Sequence, residues 1–382
     1  MTITRFEALD LTPDLTSPLV LLASNTAWSI ANFRSGLVRR LLAAGYRVAA
    51  LAPDSRQGLR LPCELIPIPV ERKSTSPLKD LLLLLRLART IRVLRPFAVL
   101  TYTPKLNVYG VLAARRYGAR VISNVSGLGS GFLSGGLLIR IMHGLYRHAN
   151  RWADAVFFQN GDDLAYFTQR RLVDPQKAVL VPGSGVDLTS FRPAGDEARK
   201  GFVFLLIARL LRDKGVVEFV EAARLVRGRQ PSARFQVLGQ LDPGNPSAIS
   251  ERMLRCWVEE GTIEHLGWRE DVRPSIAASD CVVLPSYREG TPRTLLEAAA
   301  MAKPVIATDV PGCRQVVEHG RTGLLCRVRD PQDLAEKMFG MITLPASERR
   351  RMGAEGRQKM EREFDETLVI DRYLETLQRF RS

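Results

Sequence analysis

The chain has 382 residues, 46% of them apolar and 25% charged, with a net charge of +15. Its length exceeds what one hydrophobic core usually supports, so two domains are expected, and its composition excludes disordered and fibrous classes. No stretch nears the roughly 18 apolar residues of a spanning helix and no charged-then-apolar leader opens the chain, so the protein is expected to touch a membrane but not cross one. Cysteines without a CxxC pair give the expectation of a cytoplasmic home.

The charge is unevenly placed. Residues 1–190 carry 24 Lys and Arg against 12 Asp and Glu, leaving 31 against 28 for the remainder. A basic half of this kind favours an anionic membrane surface, a nucleic acid or a phosphorylated substrate, or is simply solvated. No recognised basic or aromatic nucleic-acid motif accompanies it, so no nucleic-acid partner is expected. None of the five cysteines forms a CxxC pair, and Cys281 and Cys326 sit in apolar runs, which predicts buried, reduced thiols.

Taken in order, the elements alternate. "PLVLLAS" (18–24) reads as a strand, a helix follows near Asn32–Ala44, and "YRVAALAP" (46–53), "FAVLTY" (97–102), "ARVISNV" (119–125) and "DAVFFQN" (154–160) read as further strands. Glycine, proline and charge replace periodicity in "VLVPGSGVDLTSFRPAGDEARKG" (179–201), so an N-terminal domain of residues 1–190 and a C-terminal domain of residues 191–382 are expected. A second alternation follows, with strands at 202–208, 234–239, 263–267, 281–286, 304–308 and 323–328, then a charged helical tail from Glu348. The fold class is therefore α/β, two Rossmann-like parallel-sheet domains, expected to face a central cleft at the carboxyl ends of their strands.

The most informative stretch is "YREGTPRTLLEAAAMAKPVIATDVPG" (287–312). Thr291 is expected to cap a helix whose first residue is Pro292, leaving the amides of Arg293, Thr294 and Leu295 without helical partners as an anion site. Glu289 on the loop and Glu297 inside the helix are acceptors for sugar hydroxyls at separate points, and neither is expected to neutralise the phosphate pocket. Gly290 permits close backbone approach. One such Glu pair alone is more often only solvated. The strand at 202–208, however, ends in "RLLRDKG" (209–215), which puts Arg209 and Lys214 at a strand tip of the same domain, where they can grip a diphosphate.

These residues carry a resemblance. "ARLLRDKG", "HLGWREDV", "VPGSGVDLTSFRP" and the segment "LPSYREGTPRTLLEAAAMAKPVIATDVPGCRQVVEHGRTGLL" resemble the retaining GT-B glycosyltransferases that share a Glu, seven residues, Glu motif. "SNTAWSIANFRSGL" (24–37), "TYTPKLNVYG" (101–110) and "NVSGLGSGF" (124–132) resemble, within that group, bacterial enzymes of capsule, O-antigen and glycoprotein glycan assembly, including polyprenyl-diphosphate-linked N-acetylgalactosaminyltransferases.

The resemblance implies a UDP-sugar donor, a polyprenyl-diphosphate-linked saccharide acceptor and transfer with retention, with no metal and no cofactor. It implies that Arg209 and Lys214 hold the diphosphate, Glu297 the ribose, and Glu289 with Gly290, Thr291 and Pro292 the transferred sugar, Glu289 being the catalytic candidate. Thr294 and Leu295 would complete the phosphate cradle, and backbone near Gly267 and Trp268 would receive the base. Many relatives have a double glycine where this chain has Trp28, Ser29 and Ile30, and a histidine where it offers Ser126 and Gly127. His143 is assigned to a basic helix face instead.

On the acceptor side, "LLIRIMHGLYRHANRW" (137–152), with Arg140, Arg147 and Arg151 on one face, and "LKDLLLLLRLARTIRVLR" (78–95) mix basic and apolar residues. Either both are core-facing helices with solvated arginines, or they meet the anionic inner membrane surface. Lys105 and Arg34 are candidates to touch the acceptor diphosphate. A nucleotide-sugar 2-epimerase of the same architecture is the alternative activity.

Overall fold

The computed structural model describes residues 17–53, 61–71, 76–127, 136–195 and 201–381. They form two compact units. The first comprises the chain up to Ser184 together with the segment from Thr367 onward, and the second is Gly185–Glu366. The expected division after residue 190 lies a few residues too late. The assignment of the whole tail to the second domain is corrected, because Val369, Ile370, Tyr373 and Leu377 recur at helical spacing and bury in the core of the first unit.

In the first unit the strands are β1 (Leu19–Ala23), β2 (Arg47–Ala52), β3 (Glu64–Pro67), β4 (Ala98–Tyr102), β5 (Arg120–Val125), β6 (Ala155–Phe158) and β7 (Ala178–Leu180). They make one parallel sheet of order β3-β2-β1-β4-β5-β6-β7. Side chains alternate across it. Leu21 and Ala23 enter the core on one face, and Val20 and Leu22 enter the core on the other.

The first face carries α3 (Pro77–Leu94), a π-helical turn Leu106–Gly110 running into α4 (Val111–Arg116), α5 (Gly136–Trp152) and α6 (Gly161–Gln169). The second face carries α1 (Ala27–Phe33), α2 (Ser35–Ala43) and the chain's last helix, Glu366–Arg379. The one helix expected near Asn32–Ala44 is two, broken at Arg34, whose φ of −136° and ψ of 4° are not helical. Gly110 lies so close under β4 that a Cβ there would stand 2.9 Å from the Thr101 methyl.

The last helix is pinned by more than its apolar stripe. The Tyr373 ring lies 4.8 Å from that of Phe157, and its hydroxyl bonds to Asn124 Oδ1. Asn124 Nδ2 in turn donates to Thr101 O at 3.0 Å, and Asn107 Nδ2 donates to Asn124 O at 2.7 Å. This buried network is satisfied across three segments, which makes it specific as well as favourable.

The second unit holds β8 (Val203–Ile207), β9 (Arg234–Leu238), β10 (Glu264–His265), β11 (Cys281–Leu284), β12 (Val305–Thr308) and β13 (Gly323–Cys326) in a parallel sheet of order β10-β9-β8-β11-β12-β13. Its helices are α7 (Val216–Arg229), α8 (Glu251–Glu259), α9 (Arg273–Ala277), α10 (Arg293–Ala300), α11 (Cys313–Val316), α12 (Pro331–Thr343) and α13 (Ala346–Glu363), with cores on both faces of the sheet. Cys281 and Cys326 are buried, as expected, and all five cysteines are unpaired.

In each sheet the strand order reverses once. In the first unit the reversal lies between β1 and β4, and in the second between β8 and β11. Adjacent loops there diverge to opposite faces and leave a crevice at the carboxyl ends of the strands.

Candidate functional site

The loops after β8 and β11 flank the reversal in the second unit, and they carry most of the residues singled out from the sequence. After β8 the chain forms a 3₁₀ turn, Arg212–Lys214, that ends at Gly215 in the left-handed region with φ of 71°. Only glycine fits there, since a Cβ would meet Pro285 O, just beyond β11, at 2.0 Å. The Tyr287 N–H donates to Asp213 O at 2.9 Å, and the Tyr287 hydroxyl donates to Glu218 Oε1 at 2.6 Å. Thr294 Oγ1, at the start of α10, donates to Ile207 O at the end of β8, at 3.0 Å. The β8–α7 and β11–α10 segments are thus joined at three points across the crevice.

Lys214 Nζ lies 2.5 Å from Glu289 Oε1, with the two side chains only 24% and 12% exposed. The expectation that neither acid neutralises the basic pocket is corrected here. Two loops held this close leave one carboxylate as the nearest counter-charge to one ammonium. Arg209 is more open and meets Asp242 Oδ2, on the loop after β9, at 2.9 Å. Each of the two expected diphosphate ligands therefore has a carboxylate partner.

The start of α10 also differs from expectation. Pro292 is the cap, with φ of −74° and ψ of 114°, and Arg293 is the first helical residue, so Thr291 is not the N-cap and Pro292 is not helical. The pyrrolidine ring suits the extended cap as well as it suits the first turn. The Leu295 N–H is not open either. It donates to Pro292 O at 3.1 Å, as does that of Leu296 at 3.3 Å. The anion-facing end is shorter than the sequence implies, and the Leu295 side chain is fully buried.

Glu297 is buried at 9% exposure, and its carboxyl is raised above the ordinary range by burial, with Arg293 opposing. Arg293 meets it at 3.0 Å and also donates from Nη1 to Gly185 O at 2.8 Å. Behind the β11 loop, Gly312 has φ of 84°, and a Cβ there would stand 2.1 Å from Gly290 O. Gly290 and Thr291 are buried. Gly267, after β10, has φ of 71° with open space at its Cβ position, its carbonyl accepts from Gly239 N–H at 2.8 Å, and Trp268 beside it is 49% exposed. Both therefore stand at the same strand-end edge as the flanking loops, on the β10 side.

Asp242, Gly312 and the Arg293 side chain were not singled out from the sequence, where Arg293 was named for its amide alone. That side chain could have been, since it precedes Glu297 by four residues in a helix. Asp242 and Gly312 gave no local signal.

In the first unit, the Arg34 guanidinium lies 4.6 Å from the Tyr102 ring centroid and is 9% exposed. Lys105 Nζ lies 2.6 Å from Asp80 Oδ1, and the Tyr109 hydroxyl donates to Asp80 Oδ2 at 3.0 Å. Residues 28–30 fall inside α1, which Thr26 caps through the Ser29 N–H. His143, on α5, pairs with the Tyr166 hydroxyl at 2.9 Å, and burial, then Arg170 and Arg147, hold its imidazole below the ordinary value. Of "NVSGLGSGF", residues 128–132 lie outside the described residues.

Among the described residues no helix is long and apolar enough to cross a membrane. The family model described as "Glycosyl transferases group 1" matches residues 201–343, and that described as "Glycosyl transferase 4-like domain" matches residues 30–183. The chain is 29% identical over 379 residues to the N,N'-diacetylbacillosaminyl-diphospho-undecaprenol alpha-1,3-N-acetylgalactosaminyltransferase of Campylobacter jejuni, covering 93% of this chain and 97% of that protein. It is 26% identical to the UDP-Gal:alpha-D-GlcNAc-diphosphoundecaprenol alpha-1,3-galactosyltransferase of Escherichia coli, over 69% of this chain and 70% of that one. Its fold is similar to that of Anabaena HepE in complex with UDP and glucose, with a TM-score of 0.77, 18% identity, and 94% and 99% of the two chains covered.

Proposed function

The chain belongs to the GT-B glycosyltransferases, and from that membership we propose that it moves an N-acetylhexosamine from a UDP-sugar to a polyprenyl-diphosphate-linked saccharide with retention of configuration. One observation carries the donor half of this reading. Two cations and a helix start stand at the strand-order reversal of the second sheet, on loops tied together across it. Anions bind at such a place, and the cations are held by carboxylates that a diphosphate can displace.

Arg209 and Lys214 take the diphosphate, and Thr294 at the helix start adds a donor to it. Glu297, fixed by Arg293, accepts the ribose hydroxyls. Glu289, released from Lys214, turns to the transferred sugar with the Gly290–Pro292 loop. The base lies toward Gly267 and Trp268.

In the reaction the acceptor hydroxyl attacks the anomeric carbon on the face from which the diphosphate departs. A carbon–oxygen bond forms as the one to the diphosphate breaks, and the hydroxyl proton ends on the leaving phosphate oxygen. The chain's contribution is positioning and stabilisation of that leaving charge by its own cations and helix start, a role that needs neither metal nor cofactor. The acceptor half rests on the relatives that act on undecaprenyl-diphosphate substrates. On this reading the protein works beside the inner face of the cytoplasmic membrane, where such a lipid headgroup would meet a nucleotide sugar.

The test is incubation with a panel of UDP-sugars and GDP-sugars and a polyprenyl-diphosphate-linked saccharide, followed by mass and anomeric NMR analysis of the lipid. The expected outcome is one added N-acetylhexosamine of retained configuration, lost in Glu289→Ala. An epimerised donor formed without acceptor would make the protein an epimerase instead.

A further inference from the structure

Two helices of the first unit leave apolar faces uncovered. On α3 the residues Leu83, Leu87 and Ile91 face the core, while Leu78, Leu81, Leu82 and Leu85 are 68%, 49%, 44% and 56% exposed. Their spacing of three, four and seven gathers them into a stripe roughly 100° wide on the side away from the core. In the last two turns of the same outward side the leucines give way to Arg89 and Arg92. On α5, Leu137, Leu138 and Ile141 are exposed beside the stripe of Arg140, Arg147 and Arg151. A soluble helix ordinarily turns such leucines inward.

The two helices lie on one side of the sheet. Both helices pack on the segment Leu106–Arg116 and share a single core on the same side of the sheet. Each immediately precedes a strand of a parallel sheet, β4 or β6, so each runs back against the strands and starts at their carboxyl edge. The exposed leucines fall in the first turns of both helices. They therefore lie at the rim that carries the β1–β4 crevice, with cations farther from that rim on α3.

The charge pattern selects the occupant. α5 has no acidic residue, and the one acid of α3, Asp80, is taken by Lys105 and Tyr109. An apolar stripe rimmed by arginines with no free carboxylate matches acyl chains below a layer of lipid phosphates.

We propose that the first turns of α3 and α5 insert their leucines and Ile141 into an anionic bilayer, with Arg89, Arg92 and Arg140 at phosphate level. This deepens the acceptor reading, on which it rests for why the crevice should be held at the lipid surface.

The experiment floats the purified full chain with vesicles of phosphatidylglycerol and phosphatidylcholine, and with vesicles of phosphatidylcholine alone. The wild type is expected to bind the anionic vesicles, less so in high salt. The triple variant Leu81→Gln, Leu85→Gln, Ile141→Gln should bind at least about tenfold more weakly while keeping its melting temperature and its protection by UDP. A Leu81→Trp variant should be quenched by brominated acyl chains, a readout that does not depend on the triple variant folding.

Absence of wild-type binding, undiminished binding by the triple variant, or an unquenched Trp would overturn the proposal. So would a wild-type dimer by light scattering that the triple variant abolishes, which would make this face a subunit contact. Loss of UDP protection in the wild type with vesicle binding intact would sink the transferase reading and leave the insertion face standing.

Discussion

Replacing Glu289 by glutamine should make the protein bind free UDP more tightly. In the structure Lys214 donates to the Glu289 carboxylate at 2.5 Å, and neither side chain is more than a quarter exposed. A diphosphate that uses Lys214 must first take it from that carboxylate. Hydrogen bonds that involve a charged group span about 1.5–3 kcal/mol, with an ammonium on a neutral amide at the weak end and an ammonium on a carboxylate toward the strong end, so the amide should give up Lys214 more easily by about 1 kcal/mol. That corresponds to a roughly fivefold lower Kd for UDP. Turnover should fall in the same variant, because the sugar loses its carboxylate.

Isothermal titration calorimetry with UDP at fixed ionic strength reads the first effect, and product formation reads the second. If Glu289→Gln bound UDP no more tightly than the wild type, Lys214 would not be the cation that the diphosphate borrows, and the exchange of partners would be wrong.

The other predictions bear on the same unit. Arg209→Ala and Lys214→Ala should each weaken UDP binding about tenfold or more, as expected for loss of a charge-assisted contact, and calorimetry showing unchanged affinity in both would remove the diphosphate assignment. Gly312→Ala places a methyl 2.1 Å from Gly290 O at φ of 84°; the left-handed backbone alone costs about 1–2 kcal/mol, so thermal unfolding should come several degrees lower, with weaker UDP protection. An unchanged melting curve would show that the loop yields freely. Burial alone would raise the Asp187 carboxyl, but hydrogen bonds from the side chains and backbone of Ser190 and Thr189 outweigh it and lower its pKa to about 2. The stability it adds is present above its unfolded value and is lost as pH falls toward 2. The melting-temperature gap between the wild type and Asp187→Asn should therefore close over that interval, and a gap independent of pH would contradict the assignment.

Much of the architecture was legible because the sheets are parallel and covered on both faces, so their strands stand out as short apolar runs between turns. β3 and β7 did not. β3 reads Glu64–Pro67, with a charge at one end and a proline at the other, and β7 opens the stretch whose glycines and prolines read as linker. The α10 loop was recognisable from its strand, glycine and helix grammar, yet its chemistry was only half visible. Lys214 and Glu289 are 75 positions apart, and Arg209 and Asp242 are 33 apart. Nothing local announces such pairs, because they depend on which loops the strand order makes neighbours. Proline at the helix start was misplaced by one residue for the opposite reason, since its preferred backbone serves both the cap and the first turn.

The return of the last helix to the first sheet has a consequence for what each unit can lose. Val369, Ile370, Tyr373 and Leu377 each contribute about 1.5–3 kcal/mol when buried, and they do so in a core whose other members lie before Ser184. The second unit is thus an insertion, in chain terms, between two parts of the first. A chain cut before Thr367 should keep every core residue of the second unit while leaving the first unit's sheet covered on that face by α1 and α2 alone, and partial proteolysis should digest the first unit ahead of the second.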